Sequence, residues 1–146
     1  MKGTFAVDIR YELLDAILEA APSLLNDTDG AEMFTFYQMP DEVFQNAKND
    51  YGFFLSKDDI VCIISLSSEK PGSDGIVFTT RQIWASNLID GEKYVYHCPY
   101  ENWNELDDLY KNGSVNIICL RKLMRKLYGI IKTDLDDSDD ENNDNK

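Results

Sequence analysis

The chain holds one histidine, His97, so any serine–histidine or cysteine–histidine nucleophile would have to use it. If His97 and Cys98 lie in a strand they point to opposite faces and cannot pair. His97 is therefore read as a strand side chain and not as a base. The cysteines Cys62, Cys98 and Cys119 each sit inside an apolar, strand-like run, and no Cys-x-x-Cys spacing occurs. That pattern predicts buried free thiols; a zinc set of Cys62, His97, Cys98 and Cys119 would need three distant segments to meet. A calcium loop needs oxygens at alternate positions, a Gly at the sixth and a Glu at the twelfth. Asp134, Asp136, Ser138 and Asp140 alternate in that way, but Asp139 stands in the Gly position and Asn145 in the Glu position. The set Asp27, Asp29 and Gly30 has Leu25 at the first ligand position and Phe36 at the last. Neither phosphate-cradling glycine motif is present. The carboxylate pairs Asp58-Asp59 and Asp107-Asp108 are adjacent in sequence, which suits solvated acids and not a matched acid and base. The sequons at Asn26 and Asn112 matter only in a secreted chain. No cofactor and no metal are expected, and the chain reads as a non-enzyme.

Aromatic residues beside acids are the remaining chemistry. The densest mixture is Tyr100-Glu101-Asn102-Trp103-Asn104-Glu105-Leu106-Asp107-Asp108. Tyr and Trp ringed by carboxylates make a face for a basic protein, with energy concentrated in the ring and association speed in the charges. Tyr100, Glu101, Trp103, Glu105, Asp107 and Asp108 are therefore the candidate partner-binding residues, with Trp103 as anchor. The competing reading of the segment is a loop and an edge strand with one buried ring.

The balance of charge agrees with a basic partner. Against 27 Asp and Glu stand 14 Lys and Arg, a formal net charge of -13 over 146 residues. Such a chain lacks the basic footprint that direct nucleic-acid binding or adhesion to anionic membranes requires. No apolar run is long enough to span a bilayer. The opening MKGTFAVDIRYELLDAI has no apolar core of a signal peptide, so a cytoplasmic location is expected. The acids Asp134, Asp136, Asp137, Asp139, Asp140, Glu141 and Asp144 crowd the last residues, with Leu135 the sole apolar side chain among them. Residues 134–146 are predicted to be a disordered acidic tail. Just before it Arg121, Lys122, Arg125, Lys126 and Lys132 form a basic stretch that can neutralise the tail within a Debye length of ~8 Å.

The elements that would position these residues are read from periodicity. Ile9, Leu13, Ile17 and Ala20, widened by Leu14, Leu18 and Ala21, define an amphipathic helix that Pro22 should bound near Ala21. After a turn over 26–32, MFTFYQ (33–38) reads as a short strand. Pro40, Asp41 and Glu42 open a second helix whose apolar face is Val43, Phe44, Ala47 and Tyr51, stopped by Gly52. From Ile60 the period changes to that of strands: 60–67, 76–80, 82–87 and 93–100, with Asp90-Gly91 as a hairpin turn. Asn112-Gly113 marks a second hairpin between a short strand at 108–111 and one at 115–120. Leu120, Leu123, Met124, Leu127, Ile130 and Ile131 then form the core stripe of a closing helix. The fold class is α+β: one domain over 1–133, helical over 8–51, with a meander of five or six strands and a C-terminal amphipathic helix.

The run from about 40 to 132 resembles the small bacterial pleckstrin-homology-like domains akin to GRAM domains. The resemblance rests on Gly75, Ile76, Phe78, Thr79, Ile83 and Trp84, spaced as in that family's glycine-led strand block, and on Pro99-Tyr100 after the next strand. It implies a curled antiparallel sheet over 53–132, closed by a C-terminal helix, used as a binding platform without a reaction. Phosphoinositide binding would call for clustered bases in the strand loops; Lys57, Lys70, Arg81 and Lys93 are instead interspersed with acids. Two functions follow as expectations. One is an acidic immunity or inhibitor protein that neutralises a basic protein such as a toxin nuclease. The other is a pleckstrin-homology-like regulatory or scaffolding module that binds a peptide or protein.

Overall fold

The structure is a computed structural model that describes residues 8–25, 31–67, 69–111 and 115–144. The 26–30 part of the first turn, with the calcium-loop candidate Asp27, Asp29 and Gly30, and the Asn112-Gly113 hairpin turn lie outside the described residues. Helix α1 (Ile9–Leu24) starts on Asp8, whose carboxylate accepts the Arg10 amide at 2.9 Å. It buries Leu13, Leu14 and Ile17, as the spacing predicts, and also Ala16, whereas Leu18, assigned to the same stripe, is exposed. It also runs through Pro22, where a boundary was expected. Proline removes one donor, and its effect falls in the final turn, which Leu24 anchors in the core and the Asn116 amide ties by donating to the Leu24 carbonyl at 3.0 Å.

Strand β1 (Glu32–Thr35) is shorter than the 33–38 reading and turns at once into a 3₁₀ turn over Phe36–Gln38. Helix α2 (Asp41–Asp50) follows Pro40, carries Asp41 and Glu42 in its first turn and buries Val43, Phe44 and Ala47. Then come β2 (Ile60–Ser65), β3 (Gly75–Thr79), β4 (Gln82–Ile89) and β5 (Glu92–Pro99). Among the described residues the five strands form one antiparallel sheet in sequence order, open at its β1 and β5 edges. The β4–β5 turn is Asp90-Gly91, both at positive φ (53° and 83°), the primed geometry that matches strand twist. Gly75 has φ 143°, and a Cβ there would fall on the Ile64 carbonyl oxygen across the β2–β3 pair, so glycine is required.

Helices cover both sides of the sheet. On one side Cys62, Ile64, Ile76, Phe78, Ile83, Ala85 and Cys98 pack with α1 and the last helix. On the other, Ile60, Ile63, Val77 and Trp84 pack with α2 and with Tyr51 and Leu55 just after it. This double burial is why β2 and β3 are continuous apolar runs instead of alternating ones.

Two expected strands do not form. The short strand at 108–111 falls within a 3₁₀ segment, Tyr100–Tyr110, kinked at Asn102. The 115–120 strand is replaced by the start of α3 (Ile117–Asp144). Asn116 supplies the reason: its Oδ1 accepts the amides of Ile118 and Cys119, both at 3.1 Å, capping a helix where the β-branched run suggested a strand. Leu120, Leu123, Met124 and Leu127 are buried as the helical spacing predicts. Helix α3 continues through Asp144, across the stretch assigned to a disordered tail; no Pro or Gly follows Gly129 to stop it.

Candidate functional site

The 3₁₀ segment is held on the sheet by side-chain bonds to backbone. The Tyr100 hydroxyl donates to the Thr79 carbonyl at 2.7 Å. The Tyr110 hydroxyl donates to the carbonyls of Gly75 at 2.9 Å and Ser86 at 3.3 Å. From β4, the Asn87 amide donates to the Leu109 carbonyl at 2.9 Å. Burial pushes the Tyr100 and Tyr110 phenols far above their ordinary titration range, so both stay neutral donors. Tyr100, Trp103, Leu106 and Leu109 are spaced by three, the period of a 3₁₀ helix, and this stripe turns toward the core.

That arrangement divides the predicted binding residues. Tyr100 is 2% exposed and leaves the candidate surface. Trp103 is half-buried against the core, with the Arg125 guanidinium 5.4 Å from its ring centroid, so it is a covered ring and not a free anchor. Asp107 accepts from Arg121 at 2.9 Å, and Asp108 pairs with Lys111 at 2.6 Å. Arg121 of α3 therefore ties that helix to the 3₁₀ segment, and Lys126, 3.3 Å from Glu19, ties it to α1. Glu101 and Glu105 are exposed, with no ion-pair partner among the described residues.

Glu105 and Asp108 nevertheless meet in a groove that the sequence reading did not assemble. Its other walls are Ile89 from β4, Tyr94, Val95 and Tyr96 from β5, and Leu109, around a cavity volume of about 390 Å³. Tyr94 and Val95 are 47% and 42% exposed. The Tyr94 hydroxyl donates to Glu92 at 3.1 Å, adding a third carboxylate near the rim. The three-residue period of the 100–109 stripe, laid beside the alternation of β5, is the signal that could have joined these two segments.

Other reactive groups are engaged elsewhere. His97 and Cys98 lie on opposite faces of β5, as expected; the imidazole stacks on Trp84 at 4.5 Å and the thiol is buried. Burial pushes the Cys98 thiol up to about 11 and the Cys62 thiol higher still. Cys119 departs from the expectation of a buried strand thiol: it is half-buried on α3 and lines a second groove, of about 280 Å³, against α1. Among the described residues no three His, Cys, Asp or Glu side chains could hold a metal ion.

One polar cluster has the composition of a serine nucleophile site. The Ser73 hydroxyl donates to Asp50 at 2.6 Å, and Lys93 Nζ lies 3.4 Å from Ser73 Oγ. The geometry is that of a latch. Lys93 donates to the Ser73 carbonyl at 2.8 Å and lies 3.5 Å and 3.4 Å from Asp50 and Asp74, while Ser86 donates to Asp74 at 2.9 Å. Ser73 is 7% exposed. The cluster ties α2, the β2–β3 loop and the root of β5 together.

No helix among the described residues is long and apolar enough to cross a membrane. Comparison of the chain with protein-family models, with curated proteins and with solved structures found no match to any of them.

Proposed function

We propose that this protein is a non-enzymatic, acidic interaction protein that binds and neutralises a basic protein, in the manner of an immunity protein against a toxin such as a nuclease. The observation that carries this reading is the groove between β5 and the 3₁₀ segment. Apolar walls from Tyr94, Tyr96, Ile89 and Leu109 offer desolvated contact area, and Glu105 and Asp108 at the rim supply charge. The net charge of -13 steers a cationic protein toward it from a distance. Tyr94 replaces Trp103 as the contact residue at the centre, because it is 47% exposed and Trp103 is covered.

The test is affinity selection with the intact chain from its source cells, in parallel with the Glu105→Lys/Asp108→Lys double variant, at roughly 0.15 M and about 1 M salt. The expected result is a basic protein retained by the unaltered chain at low salt, lost at high salt and lost with the double variant. Co-expression should then suppress the activity of that protein in cells. A retained partner that is acidic, or one that the double variant holds equally well, refutes the reading.

A further inference from the structure

We propose that the basic partner is engaged by strand addition: an extended segment of the partner hydrogen-bonds along the free edge of β5 and places Lys or Arg side chains into the Glu105/Asp108 groove. This deepens the proposed function and rests on it.

The edge follows from the register. A two-residue loop makes Ile89↔Glu92 the hydrogen-bonded closing pair of the β4–β5 hairpin. Bonded and non-bonded pairs then alternate to Gln82↔Pro99, so Lys93, Val95 and His97 direct their N–H and C=O groups away from β4. Among the described residues no loop or turn backbone group bonds to them. A row of unpaired backbone groups on a long strand is a template for another strand. The middle of β5, Tyr94-Val95-Tyr96, carries none of the usual protection: its charged residues Glu92 and Lys93 stand at the start, with Lys93 Nζ drawn to Ser73, Asp50 and Asp74, and its one proline, Pro99, stands at the end. The other edge, β1, is only four residues long.

Side-chain alternation then states the partner's chemistry. On the groove side, an added strand lays alternate side chains along Tyr94 and Tyr96 toward Glu105 and Asp108, which suits the apolar stem and cationic head of Lys or Arg. On the opposite side its intervening side chains meet Val95 and the exposed His97, next to Phe54, which is 85% exposed with its ring 6.2 Å from that of Trp84. β-Branched or aromatic residues suit those positions. A second copy of this chain does not fit, because a net charge of -13 on each molecule opposes the approach and like rims would face each other.

The probe is a capped hexapeptide of alternating lysine and valine, compared with two analogues that are N-methylated on all lysines or on all valines. Binding is read by calorimetry and by amide hydrogen exchange on the intact chain. Strand addition predicts exchange at Lys93, Val95 and His97 slowed by roughly tenfold or more at saturation, and loss of binding for one N-methylated analogue but not the other. Equal binding by both analogues, or unslowed exchange at those amides while the parent peptide is bound, overturns strand addition and leaves the acidic-groove reading standing. A peptide that does not bind, or that binds a Glu105→Gln/Asp108→Asn variant equally well, overturns both.

Discussion

Tyr110→Phe should destabilise the protein by about 2 kcal/mol, although it removes a single oxygen. The ring is fully buried, and phenylalanine preserves its packing. What disappears is the donor that serves the Gly75 carbonyl at 2.9 Å and the Ser86 carbonyl at 3.3 Å. Leaving a buried acceptor without its partner costs ~1–3 kcal/mol, and the longer contact contributes the smaller share. In a domain of this length about 2 kcal/mol lowers the melting temperature by roughly 4–8 °C. The comparison is Tyr94→Phe, whose hydroxyl is solvated and bonded only to Glu92; it should stay within ~0.5 kcal/mol of the unaltered protein. Urea unfolding measures both, with an unchanged slope showing that the native and unfolded states keep their compactness. If Tyr110→Phe unfolds at the same urea concentration as the unaltered protein, the hydroxyl does not anchor the 3₁₀ segment and the account of how the groove is held is wrong.

Gly75→Ala should cost about 3 kcal/mol or more by thermal unfolding, since the new Cβ meets the Ile64 carbonyl and φ 143° is unfavourable for any side chain. Leu127→Ala should cost ~2–5 kcal/mol, whereas Arg125→Ala, which loses only its contact with Trp103, should cost ~1 kcal/mol or less; reversal of that order would refute the core stripe of α3. Burial works to raise the Asp50 pKa, but the Ser73 hydroxyl with Lys93 and Lys70 outweighs it, so the folded value is lowered. Its stabilisation is therefore present above the ordinary carboxylate pKa near about 3.9 and fades as pH falls through the lower folded value. Asp50→Asn should accordingly melt lower than the unaltered protein at neutral pH and converge with it in acid. In native protein near neutral pH a thiol reagent should modify Cys119 alone, with Cys62 and Cys98 reacting only on unfolding; early modification of Cys98 would contradict its burial.

The sheet was largely legible in the sequence because its signals are local. Ile60–Ser65 is a β-branched run, Asp90-Gly91 carries its own turn geometry, and the Cys98/His97 alternation follows from strand pleat alone. The two misread strands fail for a different reason. The 115–120 run is apolar and β-branched, too short for periodicity to separate strand from helix, and the deciding feature is one capping side chain, Asn116. The 108–111 strand was inferred from a hairpin turn, while the three-residue spacing from Tyr100 to Leu109 pointed to 3₁₀ structure. The acidic character of the candidate site was visible, but its composition was not. Glu105 and Asp108 lie close to Trp103 in sequence, and only tertiary packing shows that Trp103 turns inward while Tyr94 and Tyr96 stand beside the acids.

The docking of α1 on α3 bears on how the molecule folds. Each strand pairs with its neighbour in sequence; β3, β4 and β5 join across two-residue turns, whereas the β1–β2 connection carries α2. The seam between the helices is different: Glu19 and Lys126 lie 107 positions apart. Closing a flexible loop of that length costs about 4 kcal/mol, against well under 1 kcal/mol for a two-residue hairpin, on the logarithmic scaling of chain entropy. On this scaling the hairpins of β3, β4 and β5 are expected to form first, with α1 joining after the rate-limiting barrier. Weakening Leu13 or Ile17 should then leave the refolding rate almost unchanged and hasten unfolding, so the lifetime of the native state is governed by the first helix and its speed of formation by the sheet.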